Sequence, residues 1–379
     1  MDKKYDNILK LAHSLYSDGT PDWPAWHRKP MNDKWNYVCG CMYKAAIDLY
    51  YAMGDKVYLD YVKSYVDYFV QENGDISGYR LEEYNIDHVN AGKVLFDLYK
   101  ITSDEKYRRA IELLHKQLLG HPRTKEGNFW HKQIYPWQIW LDGLYMGQPF
   151  YVEYDMTFGG KTSYKDSIEQ FENVFRLMRD PKSGLFYHGY DESREMFWAN
   201  KEMGLSPHIW GRAVAWYAMS LVDTAEKLCE ELVTEKQMLG YHLKELIDSM
   251  LKHLGPQKMF YQVVDMGHME GNYQETSATM GIAYSMMKGA RLGLLSDDYF
   301  VKGQEIFDAT ISEKLIERDG KLVLADTVLV SGLGGMPGQG DYKLRDGTYE
   351  YYISEPRVDN DGKGVAPMLF GLAEIIRRG

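Results

Sequence analysis

Cysteine is scarce in this sequence: Cys39, Cys41 and Cys229 are the only three in 379 residues. An odd number cannot close a disulfide framework, so a reducing compartment is expected. Cys39 and Cys41 stand two apart, and such residues on a helix do not face one another, which argues against a shared metal. Long apolar runs are missing too. The opening MDKKYDNILKLAHSLYSDG has neither the apolar core nor the cleavage site of a signal peptide, so a soluble, cytoplasmic protein is expected. Positive charge is in deficit, with 44 Lys and Arg against 55 Asp and Glu and a net charge of −11. The two signs are interleaved, which argues against nucleic acid or an anionic membrane as partner. The glycine-rich SGLGGMPGQG at 331–340 matches neither nucleotide fingerprint and is not followed at once by a helix, so it reads as a loop. No metal or organic cofactor is signalled. Tryptophan is absent after Trp216, all nine lying between Trp23 and that residue, which places any aromatic-lined concavity in the first two thirds of the chain.

What the sequence has in quantity is helical periodicity. Residues 3–17 place Ile8, Leu9, Leu11, Ala12 and Leu15 on one side, and further helices are expected at about 35–53 and 56–72. Asn85, Asp87 and His88 open the next, followed by 104–119. The helix of Asp142, bent or divided by Pro149, is paired with 163–178. The stretch from Ser206 is paired with 235–253, that from Tyr273 with 297–315, and Gly362 begins the last. Even-numbered members of this series of twelve are rich in glycine and alanine, which lets backbones approach closely, and carry polar or aromatic residues at their N-terminal ends. Odd-numbered members are more charged, with narrower apolar stripes, as outward-facing helices should be. This alternation fits two nested rings of six, an all-α (α/α)6 barrel forming a single domain over residues 1–379. The short runs LFYHGY (185–190), MFYQVV (259–264) and KLVLADTVLV (321–330) are expected as small rim hairpins.

The densest chemistry lies in HKQIYPWQIWLDGLYMGQPF, residues 131–150. Pro136 disfavours a helical Tyr135, so a helix starts after it and Asp142 falls in or near its first turn. An acidic group beside aromatic rings is what a sugar-cleaving pocket needs, since rings bind apolar sugar faces while a carboxyl handles protons. It is equally a charge set against a helix dipole beside core aromatics. In nested helical rings the inner helices run parallel and their N-terminal ends gather at one mouth. Asn85 and Asp87, Asp142, Trp210 and Arg212, and Gln274 and Glu275 occupy such ends, and rim loops add His131, Lys132, His188 and Tyr190. Each has an ordinary reading as cap, satisfied core histidine or ion pair. Four helices supplying polar groups at one end are harder to explain by packing.

These runs, with NIDHVNAG before them and HIWGRAVAWYAMSLVD, YQETSATMGIAY and DNDGKGVAP after, resemble the unsaturated rhamnogalacturonyl hydrolases (glycoside hydrolase family 105). They resemble less closely the unsaturated glucuronyl hydrolases (family 88). The resemblance spans nearly the whole chain; residues before about Trp35 and the loop at 331–347 match only generically. It implies an (α/α)6 barrel, no cofactor, and an unsaturated uronyl oligosaccharide as substrate. It implies Asp142 as general acid and base, with Asp87, His188, Trp210 and Arg212 at the sugar. Asp142 must start protonated, and a neighbouring Asp87 carboxylate and burial against Trp140 would favour that form. An acidic protein acting on a uronate needs local donors for its carboxylate. Arg212 leads, framed by Trp210 and Trp216, with Lys132, His131 and His188 as alternatives. An ordinary glycosidase with Asp87 or Glu275 as base, and a non-catalytic carbohydrate-binding protein, remain as rival readings.

Overall fold

A computed structural model describes residues 3–30, 34–335 and 344–379. Its elements in chain order begin α1 (Lys3–Ser17), α2 (Tyr37–Met53), α3 (Lys56–Phe69), α4 (Asp87–Asn90), α5 (Lys93–Thr102) and α6 (Glu105–Gly120). There follow β1 (Gln138–Trp140), α7 (Leu141–Thr157), α8 (Tyr164–Met178), β2 (Gly189–Asp191), α9 (Gly211–Lys227), α10 (Val233–Leu251), α11 (Thr276–Arg291) and α12 (Asp297–Lys314). The chain closes with β3 (Leu315–Arg318), β4 (Lys321–Leu324), β5 (Thr327–Val328), α13 (Tyr349–Ser354), β6 (Arg357–Val358) and α14 (Gly362–Arg378).

The expected alternation is realised. Helices α2, α4 with α5, α7, α9, α11 and α14 touch in that order, and α14 returns to α2, so the inner ring closes. Outside it, α3 packs on α2, α6 on α5, α8 on α7, α10 on α9, α12 on α11 and α1 on α14, giving the (α/α)6 barrel. Burial follows composition: α11 is buried on every side from Thr276 to Ala290, whereas α3 buries only the stripe Tyr58, Val62, Tyr65, Val66 and Phe69. Small residues set the spacing of the inner ring. A Cβ on Gly40 of α2 would stand 2.5 Å from the Cα of Ala91, so the two backbones meet there.

That contact coincides with a departure from expectation. The helix opened by Asp87 is not continuous; it breaks at Ala91–Gly92 into α4 and α5. Pro149, expected to bend or divide its helix, lies inside an unbroken α7. Proline has no N–H to give to the carbonyl four residues earlier. That carbonyl, on Tyr145, instead accepts from Lys93 Nζ at 2.5 Å, so a neighbouring helix supplies the missing donor. The strands also pair differently from three local hairpins. The 185–190 run ends in β2, which pairs antiparallel with β1 (Gln138↔Asp191, Trp140↔Gly189). In the 321–330 run, β4 forms a hairpin with β3 while β5 pairs with β6. The 259–264 run makes only the isolated bridges Trp210↔Val263 and Tyr261↔Gln274.

At the C-terminal ends of the inner helices, charged side chains from all six turn inward and pair. Lys44 meets Asp48 at 2.7 Å and Asp97 at 3.7 Å, Lys227 meets Glu153 at 2.7 Å, and Lys288 meets Asp223 at 2.7 Å and Glu226 at 2.8 Å. Glu374, wholly buried, holds Arg291 and Arg377 at 2.5 and 2.7 Å. Between this floor and the opposite end, the interior is filled by Tyr145, Trp216 and Tyr284, all buried.

Candidate active site

The N-terminal ends of the inner helices gather the residues singled out in the sequence. Asp142 lies in the first turn of α7, positioned by β1, whose last residue Trp140 immediately precedes the helix. Its Oδ2 is 3.3 Å from Nε2 of His188, off the line of a hydrogen bond. His188 is fully buried, and its Nδ1 is 2.8 Å from the hydroxyl of Tyr352 on α13. Burial pushes the Tyr352 phenol well above its usual range, so this hydroxyl stays neutral. When it donates to Nδ1, the remaining His188 proton sits on Nε2 and faces Asp142. The His188 ring lies 4.7 Å from that of Trp210 and 5.5 Å from that of Trp140, centre to centre. Trp210 Nε1 donates to Gln262 Oε1 at 3.1 Å, and Gln262 Nε2 donates to the Tyr352 carbonyl at 3.0 Å, tying these elements together.

The second carboxylate is differently placed. Asp87, the first residue of α4 and 8% exposed, has its Oδ2 2.6 Å from Lys132 Nζ and its Oδ1 3.5 Å from His131 Nε2. Burial opposes its charge, but the Lys132 ammonium and His131 outweigh it and hold the carboxyl below the usual carboxylate range. Asp87 is therefore ionised and already paired. It does not present the bare negative charge to Asp142 that the sequence led us to expect. His131 has its own pKa pushed down to about 4 by burial, only partly countered by Asp87, and stacks on Trp140 at 4.3 Å and 15°. Tyr135 stacks on Trp140 at 5.0 Å and 20°, extending the aromatic wall outward. Trp137, next along, departs from a core role: it is 46% exposed, with φ at +61°.

Arg212, buried in the first turn of α9, lies over the Trp210 ring, its guanidinium carbon 4.9 Å from the centre. Its Nη1 donates to Ser277 Oγ at 3.3 Å and to the Val328 carbonyl, and its Nε is buried without a partner. It makes no ion pair with Asp87 or Asp142; those carboxylates face Lys132 and His188. Glu275 anchors this side. Wholly buried as the N-cap of α11, it accepts from Ala278 N at 2.7 Å, Val328 N at 2.9 Å and Ser277 Oγ at 2.8 Å. A carboxylate so fully committed is unsuited to act as a base toward substrate.

Two expected residues lie elsewhere. Tyr190 pairs with Ile139 across the β1–β2 ribbon, so its side chain projects to the Ile139 side, away from Trp140 and Gly189. Trp216 stacks on Tyr145 at 4.7 Å, more than a turn along α9 from the mouth, and is core rather than a frame for Arg212. Conversely, four residues at the mouth escaped the sequence reading. Lys363, at the start of α14, meets its own cap Asp361 at 2.7 Å. Burial lowers its pKa, Asp361 opposes this, and Arg212 adds to it. Tyr37, at the start of α2, has a phenol pushed far up by burial and sits in the fields of Arg212, Asp87, Asp361 and Asp142. Tyr352 completes the set. DNDGKGVAP stood out as a motif, but nothing separated Tyr37 or Tyr352 from 31 tyrosines.

A three-ligand cluster of His, Cys, Asp and Glu able to hold a metal does not occur among the described residues. Nor is any described helix long and apolar enough to cross a membrane.

Comparison with known proteins agrees with this fold. The chain is 41% identical to a glycoside hydrolase from family 105 of C. acetobutylicum ATCC 824, whose solved structure superposes with a TM-score of 0.89 over 98% of this chain and 99% of that one. It is 25% identical to the unsaturated rhamnogalacturonyl hydrolase YesR of Bacillus subtilis (strain 168), over 92% of this chain and 91% of YesR. An unsaturated glucuronyl hydrolase specific for heparin shares the fold alone, with 13% identity and a TM-score of 0.71 over 100% of this chain and 97% of that one. The profile of Glycosyl Hydrolase Family 88 matches residues 16–379, and the chain belongs to that family of glycoside hydrolases.

Proposed function

We propose that this enzyme removes a 4,5-unsaturated uronic acid from the non-reducing end of oligosaccharides released by a polysaccharide lyase, with unsaturated rhamnogalacturonan fragments as substrate. The C4=C5 bond of such a sugar is an enol ether. Protonated Asp142 gives its proton to C4 and positive charge develops at C5 and the ring oxygen. Water adds at C5 and the Asp142 carboxylate takes its proton. The resulting hemiketal opens, and loss of the aglycone follows without attack by the enzyme at the anomeric carbon. Tyr352 and His188 orient Asp142. Arg212, the buried guanidinium with no carboxylate of its own, receives the uronate carboxylate through charge-assisted hydrogen bonds. Trp210 and Trp140 flank the ring, and Asp87, His131 and Lys132 bind hydroxyls.

One observation carries the reading. Asp87 is committed to Lys132, Glu275 to the α11 cap and Asp361 to Lys363, which leaves Asp142, among the described residues, as the carboxylate facing the site without a cation. An ordinary glycosidase needs two working carboxyls, whereas hydration of an enol ether can use one group as acid and then base. The test compares a lyase-generated disaccharide with its saturated counterpart, following the ultraviolet absorbance of the double bond. Only the unsaturated sugar should be consumed, and Asp142→Asn should lose about 10²- to 10⁴-fold in turnover while folding normally. Comparable cleavage of the saturated sugar, or near-wild-type turnover by a folded Asp142→Asn protein, would overturn the proposal.

A further inference from the structure

Of the cations at the mouth, Lys132 and Lys363 carry their own carboxylates, and Arg212, deep on the inner wall, is the group assigned above to the first uronate. Arg345 is the exception on the outer side. It is half-buried and has no carboxylate partner among the described residues. Its place is built rather than incidental. Gly334 N donates to the Arg345 carbonyl at 2.8 Å and Arg345 N to the Gly334 carbonyl at 2.9 Å, while Gly332 N donates to the Tyr351 hydroxyl at 2.9 Å. Leu333, wholly buried against Trp140 and Trp198, anchors residues 332–334. A Cβ on Gly332 would stand 3.1 Å from Arg345 Nη1 and 3.6 Å from the edge of Trp140. The guanidinium therefore lies across Gly332 from the edge of the ring whose other neighbours are His188, His131 and Tyr135. One on Gly334 would stand 3.6 Å from Tyr135 and 3.9 Å from Met196, so residues 332–334 run along the outer end of the aromatic wall.

We infer that Arg345 is a specificity residue that binds a second anionic group on the leaving-group side, making acidic oligosaccharides with alternating uronates the preferred substrates over a neutral aglycone. The inference rests on the uronyl-hydrolase reading above, in which Asp142 and Arg212 fix the first uronate deep in the mouth. The wall from Trp140 to Tyr135 then carries the next sugars outward, and a carboxylate beyond the cleaved bond meets the Arg345 guanidinium. Half-burial makes such a contact stronger than a surface pair and weaker than a buried one, so an effect of roughly five- to tenfold is expected.

The experiment measures kcat, KM and tryptophan-fluorescence Kd for wild type, Arg345→Gln and Arg345→Lys. The substrates are the unsaturated disaccharide and tetrasaccharide released by a rhamnogalacturonan lyase, which carry one and two carboxylates. Wild type should favour the tetrasaccharide through KM. Arg345→Gln should lose that preference, its loss falling at least fivefold more heavily on the tetrasaccharide, and Arg345→Lys should retain part of it. Equal losses on both substrates, or an undiminished tetrasaccharide preference in a folded Arg345→Gln protein, would overturn the inference. If wild type binds both sugars and cleaves neither, the hydrolase reading fails, and the ratio of Kd values still decides the role of Arg345.

Discussion

Replacing Lys132 by methionine keeps most of its stem and removes the ammonium 2.6 Å from Asp87. The two side chains are 21% and 11% exposed, so this pair is largely but not wholly withdrawn from water. Breaking a fully buried pair from one side costs about 3–5 kcal/mol; the residual exposure brings the expected loss to about 2–3 kcal/mol. The pH dependence separates this from lost packing. In the wild type the Asp87 carboxyl is held below its unfolded value. Its contribution is therefore present above about pH 4, the unfolded carboxylate range, and is lost only as pH falls through the lower folded value. Without Lys132 burial dominates and the folded value rises above the unfolded one. The penalty is then full at pH 7 and relieved on acidification, as Asp87 takes up a proton. Urea unfolding of both proteins at pH 7 and near pH 4.5 reads this directly, and the stability gap should narrow at the lower pH. A gap that is the same at both pH values, or smaller than about 0.5 kcal/mol at pH 7, would refute the reasoning.

Glu275→Gln turns an acceptor of Ala278 N, Val328 N and Ser277 Oγ into a group that must also donate; a loss of about 2–3 kcal/mol in urea unfolding is expected. KM should rise as well, because Ser277 and Val328 hold Arg212. Tyr352→Phe removes the partner of His188 Nδ1; turnover on the unsaturated disaccharide should fall about tenfold with little change in KM, as expected for one lost orienting hydrogen bond. Gly40→Ala drives a methyl group toward the Ala91 backbone; a destabilisation of about 2–3 kcal/mol is expected by urea unfolding, with activity per folded molecule retained.

The helices were legible because each inner member is small-residue-rich and each outer one has a stripe, so composition and period point the same way. Asp142, Asp87 and Arg212 were visible as polar residues at helix starts. What was hidden depends on contacts between distant segments. Pro149 looked like a helix break because the donor that replaces its N–H, Lys93, comes from another helix. Tyr190 looked like a site residue because it stands two along from His188, and only the register with Ile139 shows it on the face of the ribbon opposite Trp140. Asp87 and Lys132 are 45 positions apart, and their pairing alters the role of both. The 331–347 loop was set aside for its glycine, although Leu333 and Arg345 lie on it. Of its residues, 336–343 lie outside those described.

The paired charges that join all six inner helices at their C-terminal ends, with Tyr145, Trp216 and Tyr284 packed above them, close the interior at that end. A blind well imposes an order of traffic. On the proposed reading, the sugar that reaches Asp142 is a chain end, since an internal unit would need its chain to continue through the floor. After bond cleavage the freed monosaccharide lies behind the longer fragment, so the fragment departs first and the monosaccharide last. Steady-state inhibition should carry that signature, with the unsaturated sugar's product competing directly against incoming chains and the shortened fragment not.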